Sequence, residues 1–289
     1  MQVPAQFQYE KASSVPHALS LLGKYGPEGR VVAGGHSLIP MMKLRLAQPQ
    51  ALIDINELTE LSRISVEDGA LCVGAMVRHA DLLGSALAGE HFPIFHDAER
   101  VIADPIVRNR GTVGGSLCQA DPSEDLSAAF AAVRAEVVIQ GSDGQRVVPV
   151  REFFVGPYET VVGEGELLVQ IRVPIRSSAS AYQKVERRAG DWAVAAAGAE
   201  LRLDGEDVAE AGIGLTAVGA KNFHAPEAER FLVGGPATDE RFAQAGRIAA
   251  EHCDPVPDQR GPVAYKRHLA ATLTERALRS ARARWTTEG

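Results

Sequence analysis

The feature that most limits what this chain can fold into is a sharp break in VVAGGHSLIPMMKLRLA, residues 31–47. A strand-like run through Val32 ends at Ala33, Gly34 and Gly35 follow, and a run with helical period begins near Ser37 after His36. Glycine tolerates positive φ and lets another molecule approach the backbone, so the break predicts a tight strand-to-helix turn with amides pointing outward. Unpaired amides carry partial positive charge and favour an anion. A plain connection in which Ser37 caps the helix explains the same residues, and on this segment alone the two readings are level.

A second run, NRGTVGGSL at residues 109–117, repeats the pattern of arginine, glycines and a small hydroxyl residue. By itself it reads as a glycine-kinked loop. Two such loops together suit a pyrophosphate, whose adjacent charges can be gripped from both sides by backbone amides. No G-x-x-x-x-G-K-[ST] phosphate loop competes with them. A degenerate dinucleotide fingerprint at Gly212, Gly214 and Ala217 is set aside, because it lies in a strand-like run with no helix after it. Arg108 and Arg110 flank the second loop and read equally as phosphate-side charge or as solvated surface.

The chain has 289 residues, which favours two domains or one large domain with an appendage. At 45% hydrophobic and 23% charged residues it has the composition of a folded globular chain. A net charge of -7 argues against a general nucleic-acid binder, which needs a basic face. No apolar run is long enough to span a bilayer and the N-terminus has no signal architecture, so a cytoplasmic location is expected, with any membrane association made through partners. Cys72, Cys118 and Cys253 are scattered and read as inert core thiols. Three thiolates fall short of the four that an iron-sulfur cluster usually takes, so any cluster must sit on another chain. The histidines other than His36 lack metal-ligand spacing, and no metal site, catalytic base or nucleophile is assigned.

Strand-like and helical runs alternate through the first 175 residues. Strands are expected at 30–33, 51–55, 63–68, 70–76, 135–140, 145–150 and 165–175, with Asp68-Gly69 as a hairpin turn. Helices are expected at 37–47, where Met41 and Met42 read as packing residues, and at 79–89, 92–103 and 125–135, with residues 104–125 as one long loop. This interleaving indicates an α+β domain. After the small, polar RSSASA, residues 176–181, three strand-like runs suggest an antiparallel meander, and helices at 226–232, 238–253 and 263–285 close the chain. The expected boundary divides residues 1–176 from 177–289.

AGGHSLIPMMKLRLA, NRGTVGGSLCQADPSEDL and the later RRAGDWAVAA resemble the FAD-binding medium subunits of the molybdenum hydroxylases, a group that includes xanthine dehydrogenase and aerobic carbon monoxide dehydrogenase. The resemblance covers nearly the whole chain, and the first motif is most similar to the carbon monoxide branch. It implies a vanillyl-alcohol-oxidase-like (PCMH-type) FAD-binding domain followed by a small C-terminal domain with a three-stranded antiparallel sheet and helices. It further implies that Val32, Ala33, Gly34, Gly35, His36 and Ser37 form one pyrophosphate loop, and Thr112, Val113, Gly114, Gly115 and Ser116 the other. Asp125 matches a flavin-contacting aspartate, which we assign to a hydroxyl or amide of the cofactor since a carboxylate beside phosphates is repelled; first-turn helix charge explains it as well. Leu167 and Lys184 match residues at the flavin end, and Ile102 an apolar flavin neighbour or ordinary helix core. Trp192 stands where many relatives carry tyrosine, and an indole there covers a flavin face; without the resemblance it reads as a core or interface residue.

The activity implied by the resemblance is electron transfer. FAD on this chain would take electrons from two [2Fe-2S] clusters of a small partner, fed by a molybdenum cofactor on a large partner, and hand them to an external acceptor such as a quinone. The implied assembly is a dimer of heterotrimers, with carbon monoxide as substrate. Alternatives are a relative acting on purines, N-heterocycles or aldehydes, and a self-sufficient flavin oxidoreductase.

Overall fold

The computed structural model describes residues 3–288; Met1, Gln2 and Gly289, the outermost residues of the two expected domains, lie outside the described residues. The chain begins with β1 (Gln8–Lys11), α1 (Val15–Tyr25), β2 (Gly29–Val32), α2 (Leu38–Lys43) and β3 (Ala51–Asp54). The three strands form a parallel sheet in the order β1-β3-β2, so each helix acts as a crossover rather than a hairpin arm. Ser14 caps α1 by accepting from His17 N, and Leu21 and Leu22 bury its apolar side.

Next come β4 (Ile64–Glu67), β5 (Ala70–Gly74), α3 (His79–Leu83), α4 (Ala86–His91), α5 (Pro93–Arg100), α6 (Pro105–Arg108), α7 (Val113–Gln119) and α8 (Asp125–Ala132). They are followed by β6 (Glu136–Gly141), β7 (Gly144–Pro149), α9 (Val150–Phe153), β8 (Phe154–Gly156), β9 (Glu159–Thr160) and β10 (Leu167–Pro174). A five-stranded sheet has the order β4-β5-β10-β6-β7, with every pair antiparallel. Its first hairpin turns at Asp68 and Gly69, both at positive φ, as a tight turn that matches strand twist demands.

The last part holds β11 (Ala179–Val185), β12 (Ala195–Asp204) and β13 (Asp207–Thr216), an antiparallel sheet, then α10 (Pro226–Leu232), α11 (Asp239–Glu251) and α12 (Val263–Glu288). Helix α8 covers one face of this sheet and α12 the other. The alanine run of β12 is split accordingly: Ala196 packs with α8, whereas Ala195, Ala197 and Ala199 pack in the C-terminal core. The main core crosses residue 176, since Tyr182, Ala193, Ala196 and Phe223 belong to the same cluster as Phe95 and Phe130.

Three helical expectations change. The run 37–47 is helical only to Lys43, because Arg45 takes φ 60 and turns the chain out. The run 79–89 is two helices, since Ser85 leaves the helical path and caps α4 at Ala88 N. Residues 104–125 are not one loop: Asp104 caps α6 at Val107 N, and Thr112 caps α7 at Gly115 N.

Candidate functional site

Beyond β2 the chain needs both glycines. A Cβ on Gly34 would lie 2.5 Å from Arg110 O and 2.7 Å from Gly111 Cα, while Gly35 sits at φ +79. One glycine thus permits contact with the second glycine segment and the other permits the turn. Two residues tie the segments together. Asn56 Nδ2 donates to Ala33 O at 2.8 Å, and Arg78 donates to Asn56 Oδ1 at 2.7 Å and to Arg110 O at 2.6 Å. Neither stood out in the sequence, because a lone asparagine or arginine carries no pattern; only the fold brings them between the loops.

The two segments line a cleft of about 680 Å³, within the range of small-molecule and cofactor sites. Val32, Ala33, Gly34, Gly35, His36 and Ser37 form one wall, and Thr112, Gly114, Gly115 and Ser116 another. Ile102, Leu167, Asp125, Lys184 and Trp192 also line it. Val113 is the exception: its side chain is fully buried in the main core and its amide donates to Val77 O, so it faces away from the cleft. Val113 shares the buried face of α7 with Leu117, four residues on, which sets this inward direction.

The segments differ in what they offer. Among the described residues, no group accepts from the amides of Gly34, Gly35, His36 and Ser37. Ser37 stands at the N-cap of α2 without bonding it, so of the two readings of its hydroxyl the capping one is not taken up. The side chains of His36 and Ser37 are exposed. In the second segment the amides are already used. Gly114 N donates to Ala75 O, Gly115 N to Thr112 Oγ1 at 3.1 Å and Ser116 N to Thr112 O. A symmetric grip by amides from both sides is therefore corrected: one wall supplies amides, and the other supplies hydroxyls and a close-fitting glycine surface.

Farther along the cleft, a buried network joins its end to the C-terminal sheet. Lys184 Nζ donates to Asp125 Oδ2 at 2.8 Å and Val101 O at 3.0 Å, and Tyr182 OH donates to Asp125 Oδ1 at 2.8 Å. Burial pushes the Asp125 carboxyl up, against the opposing pull of Lys184 and Tyr182. Glu124 beside it accepts from Leu126 N, Ser127 N and Ser127 Oγ, yet burial raises its carboxyl to about 7. Arg108 donates to Ile102 O and Ala103 O, so it fixes the turn carrying Ile102 instead of standing free as a phosphate ligand. Trp192 is 45% exposed on the β11–β12 connection and is neither core nor buried interface. Cys118 is exposed and lines the cleft, unlike buried Cys72 and Cys253, because it falls on the outer side of α7.

Sequence reasoning also missed His79 and Glu99. His79 Nδ1 lies 2.9 Å and 3.0 Å from the two carboxylate oxygens of Glu99, and His79 Nε2 lies 3.0 Å from Ser116 Oγ. All three come from different helices, α3, α5 and α7, so no sequence spacing announces them.

FAD fits this donor set. It combines free amides and hydroxyls for a pyrophosphate with apolar side chains, Ile102, Leu167 and Trp192, for a ring system.

Comparison with known proteins agrees. Residues 5–176 match the FAD binding domain in molybdopterin dehydrogenase, and residues 180–281 match the CO dehydrogenase flavoprotein C-terminal domain. The chain is 40% identical to the carbon monoxide dehydrogenase medium chain of Hydrogenophaga pseudoflava, covering 98% of this chain and 99% of that one. It is 38% identical to the corresponding chain of Afipia carboxidovorans, over 98% of this chain and 99% of that one. A solved carbon monoxide dehydrogenase structure from H. pseudoflava superposes with a TM-score of 0.94 at 42% identity, covering 98% and 99% of the two chains. The chain therefore belongs to the family of FAD-binding medium subunits of the molybdenum hydroxylases, as a FAD-dependent oxidoreductase subunit similar to the carbon monoxide dehydrogenase medium chain.

Proposed function

We propose that this chain is the FAD-carrying electron-transfer subunit of an aerobic carbon monoxide dehydrogenase, passing electrons from [2Fe-2S] clusters of a small partner to an external acceptor such as a quinone. A large partner would carry the molybdenum cofactor, the assembly would be a dimer of heterotrimers, and its place would be the cytoplasm. The observation that carries this reading is the cleft between the two glycine segments, in a chain 40% identical to a carbon monoxide dehydrogenase medium chain over almost its full length. Bound FAD would accept single electrons and release two together. We read the fold of residues 1–176 as vanillyl-alcohol-oxidase-like (PCMH-type), and residues 177–289 as the C-terminal domain.

The chain's own groups would hold the cofactor. The amides of residues 34–37 would donate to pyrophosphate oxygens, with Thr112 and Ser116 opposite them. Lys184 and Tyr182 would keep Asp125 aimed at a hydroxyl or amide of the cofactor, and Trp192 would cover one ring face while Ile102 and Leu167 exclude water from the other parts.

A second reading has support of its own: the chain is 36% identical to a subunit of a 6-hydroxypseudooxynicotine dehydrogenase complex of Paenarthrobacter nicotinovorans and 34% identical to a glyceraldehyde dehydrogenase medium chain of Sulfolobus acidocaldarius, so an N-heterocycle or aldehyde substrate would use the same subunit. Co-purification of native partners, metal analysis and assays with carbon monoxide and with N-heterocycles distinguish these. Molybdenum, iron and FAD in one complex that oxidises carbon monoxide is the expected outcome. Oxidation of a small donor by the chain alone would instead mark a self-sufficient flavin oxidoreductase.

A further inference from the structure

The buried His79–Glu99 pair is the charge-bearing group of the cleft whose task is least explained by packing. His79 is 3% exposed and Glu99 fully buried, and the ring is pinned from both ends and from one side. Glu99 binds Nδ1 with both oxygens, Ser116 Oγ meets Nε2, and Gly111 leaves so little room that a Cβ there would lie 2.8 Å from His79 Cδ2. The ring can neither turn nor leave.

This fixed geometry has two proton arrangements with opposite consequences for the cleft. Facing a carboxylate, Nδ1 carries a proton in both. In the neutral ring Nε2 must accept, so the Ser116 hydroxyl hydrogen points back at His79 and only oxygen lone pairs face the cleft. In the imidazolium Nε2 donates to Ser116 Oγ, and the hydroxyl hydrogen is free to turn outward. An anion is repelled by the first arrangement and bound by the second.

We propose that His79 is a positioning residue for the anionic part of the ligand: charged and held by Glu99, it turns the Ser116 hydroxyl outward as a donor to a pyrophosphate oxygen. This rests on the assignment of FAD to the cleft and adds how one wall, whose amides are already used, contributes a donor. Binding of the anion then draws one proton from solvent onto any ring that is still neutral, and by linkage binding weakens as pH rises.

The charged neighbours of the ring favour its protonation, and burial opposes it. Burial works against the charged ring, but Glu99, helped by Asp125 and, once it ionises, by Glu124 at the start of α8, outweighs it and holds His79 above the ordinary imidazole value. Burial pushes the Glu99 carboxyl up as well, opposed by His79 and by Arg108 on α6, and both Glu99 oxygens lie within hydrogen-bond reach of Nδ1. Arg78, next in the chain, directs its guanidinium at Asn56 and Arg110 O, away from the ring.

The test uses the full chain, labelled with ¹⁵N-histidine. Without any ligand, the spectrum is expected to show both His79 nitrogens protonated at neutral pH in the wild type, and Nε2 unprotonated in Glu99→Gln. An unprotonated Nε2 in the wild type at pH 6–7 would overturn the proposal whether or not FAD binds. FAD affinity, measured from pH 6 to 9, should fall by up to roughly tenfold per pH unit once His79 loses its proton, and this fall should vanish in His79→Gln. Ser116→Ala, which keeps both Glu99 contacts to Nδ1, should also flatten the profile while His79 stays doubly protonated. Glu124 and Asp125 are common to all these variants, so the difference between profiles isolates the histidine. Riboflavin, which lacks phosphate, should bind without this pH dependence. Identical FAD profiles in wild type, His79→Gln and Ser116→Ala would refute the proposal; failure of every form to bind FAD at any pH would refute the cofactor reading, leaving the histidine spectrum to decide the pair.

Discussion

At Gly115 a single hydrogen separates a working cleft from a blocked one. The residue is exposed on the cleft wall, and a Cβ would lie 2.6 Å from Thr112 Oγ1, the atom that caps α7 through Gly115 N. Gly115→Val is expected to abolish FAD retention while costing only about 1 kcal/mol of stability, the worth of one helix cap. Flavin absorbance after gel filtration, set beside thermal unfolding, measures the two effects separately. Glu124 makes a different kind of prediction. Its carboxyl is raised from 4.5 to about 7 by burial, so in the folded chain it stays protonated where the unfolded chain ionises. The folded state therefore binds more protons between these values, and its stability is full below pH 4.5 and falls as pH rises through 7. At 1.36 kcal/mol per unit the loss is on the order of 3 kcal/mol. Glu124→Gln should flatten this fall in a thermal-stability profile of the FAD-free chain; an unchanged slope would assign it to other groups.

Among the elements, α8 is the one on which most depends. Every residue from Asp125 to Ala132 is buried, it packs on β12 and β13, and its first residue is held by Lys184 and Tyr182 of β11. Close approach to β13 requires Gly212 and Gly214, where a Cβ would collide with Ala132 O and Ala128 O of α8. The degenerate fingerprint set aside in the sequence is thus a packing surface. Gly214→Val should consequently be felt at the cofactor site through α8. Overpacking should cost about 1–3 kcal/mol, and by displacing α8 it should weaken FAD binding through Asp125; urea unfolding and FAD titration of the same variant test both parts. From the sequence alone the variant is expected to leave FAD content unchanged, because a glycine in a strand gives no sign of what lies across it.

For the molecule as a whole, the joint between its two parts is charged as well as apolar. Arg151 on α9 donates to both oxygens of Glu229 on α10, at 3.0 Å and 2.6 Å, and Glu229 also accepts from Ile213 N at 2.8 Å. Arg284 on α12 reaches back to Asp97 on α5 in the same two-pronged way, at 2.7 Å and 2.9 Å. Replacing Glu229 by Gln leaves Arg151 without its counter-charge, and a loss of about 3 kcal/mol is expected. Because the main core runs across residue 176, urea should still unfold the variant in one transition at lower concentration; two separated transitions would show that the parts fold independently. Local signals were enough for much of this architecture. Short apolar runs bounded by turn residues marked β6, β7, β10 and β12, and Asp68-Gly69 marked a hairpin, because run length and turn chemistry are written in neighbouring residues. The glycine pairs likewise identified the two segments that meet at the cleft. What tertiary structure alone decided is which groups remain free there. The amides of residues 34–37 stay open while those of residues 113–116 are taken by Ala75, Val77 and Thr112, and the Ser116–His79–Glu99 and Asn56–Arg78 links join residues 20 to 37 positions apart. Hydrogen bonds are satisfied in space and not along the chain, so sequence fixes where a donor can be, and packing fixes whether it is still available.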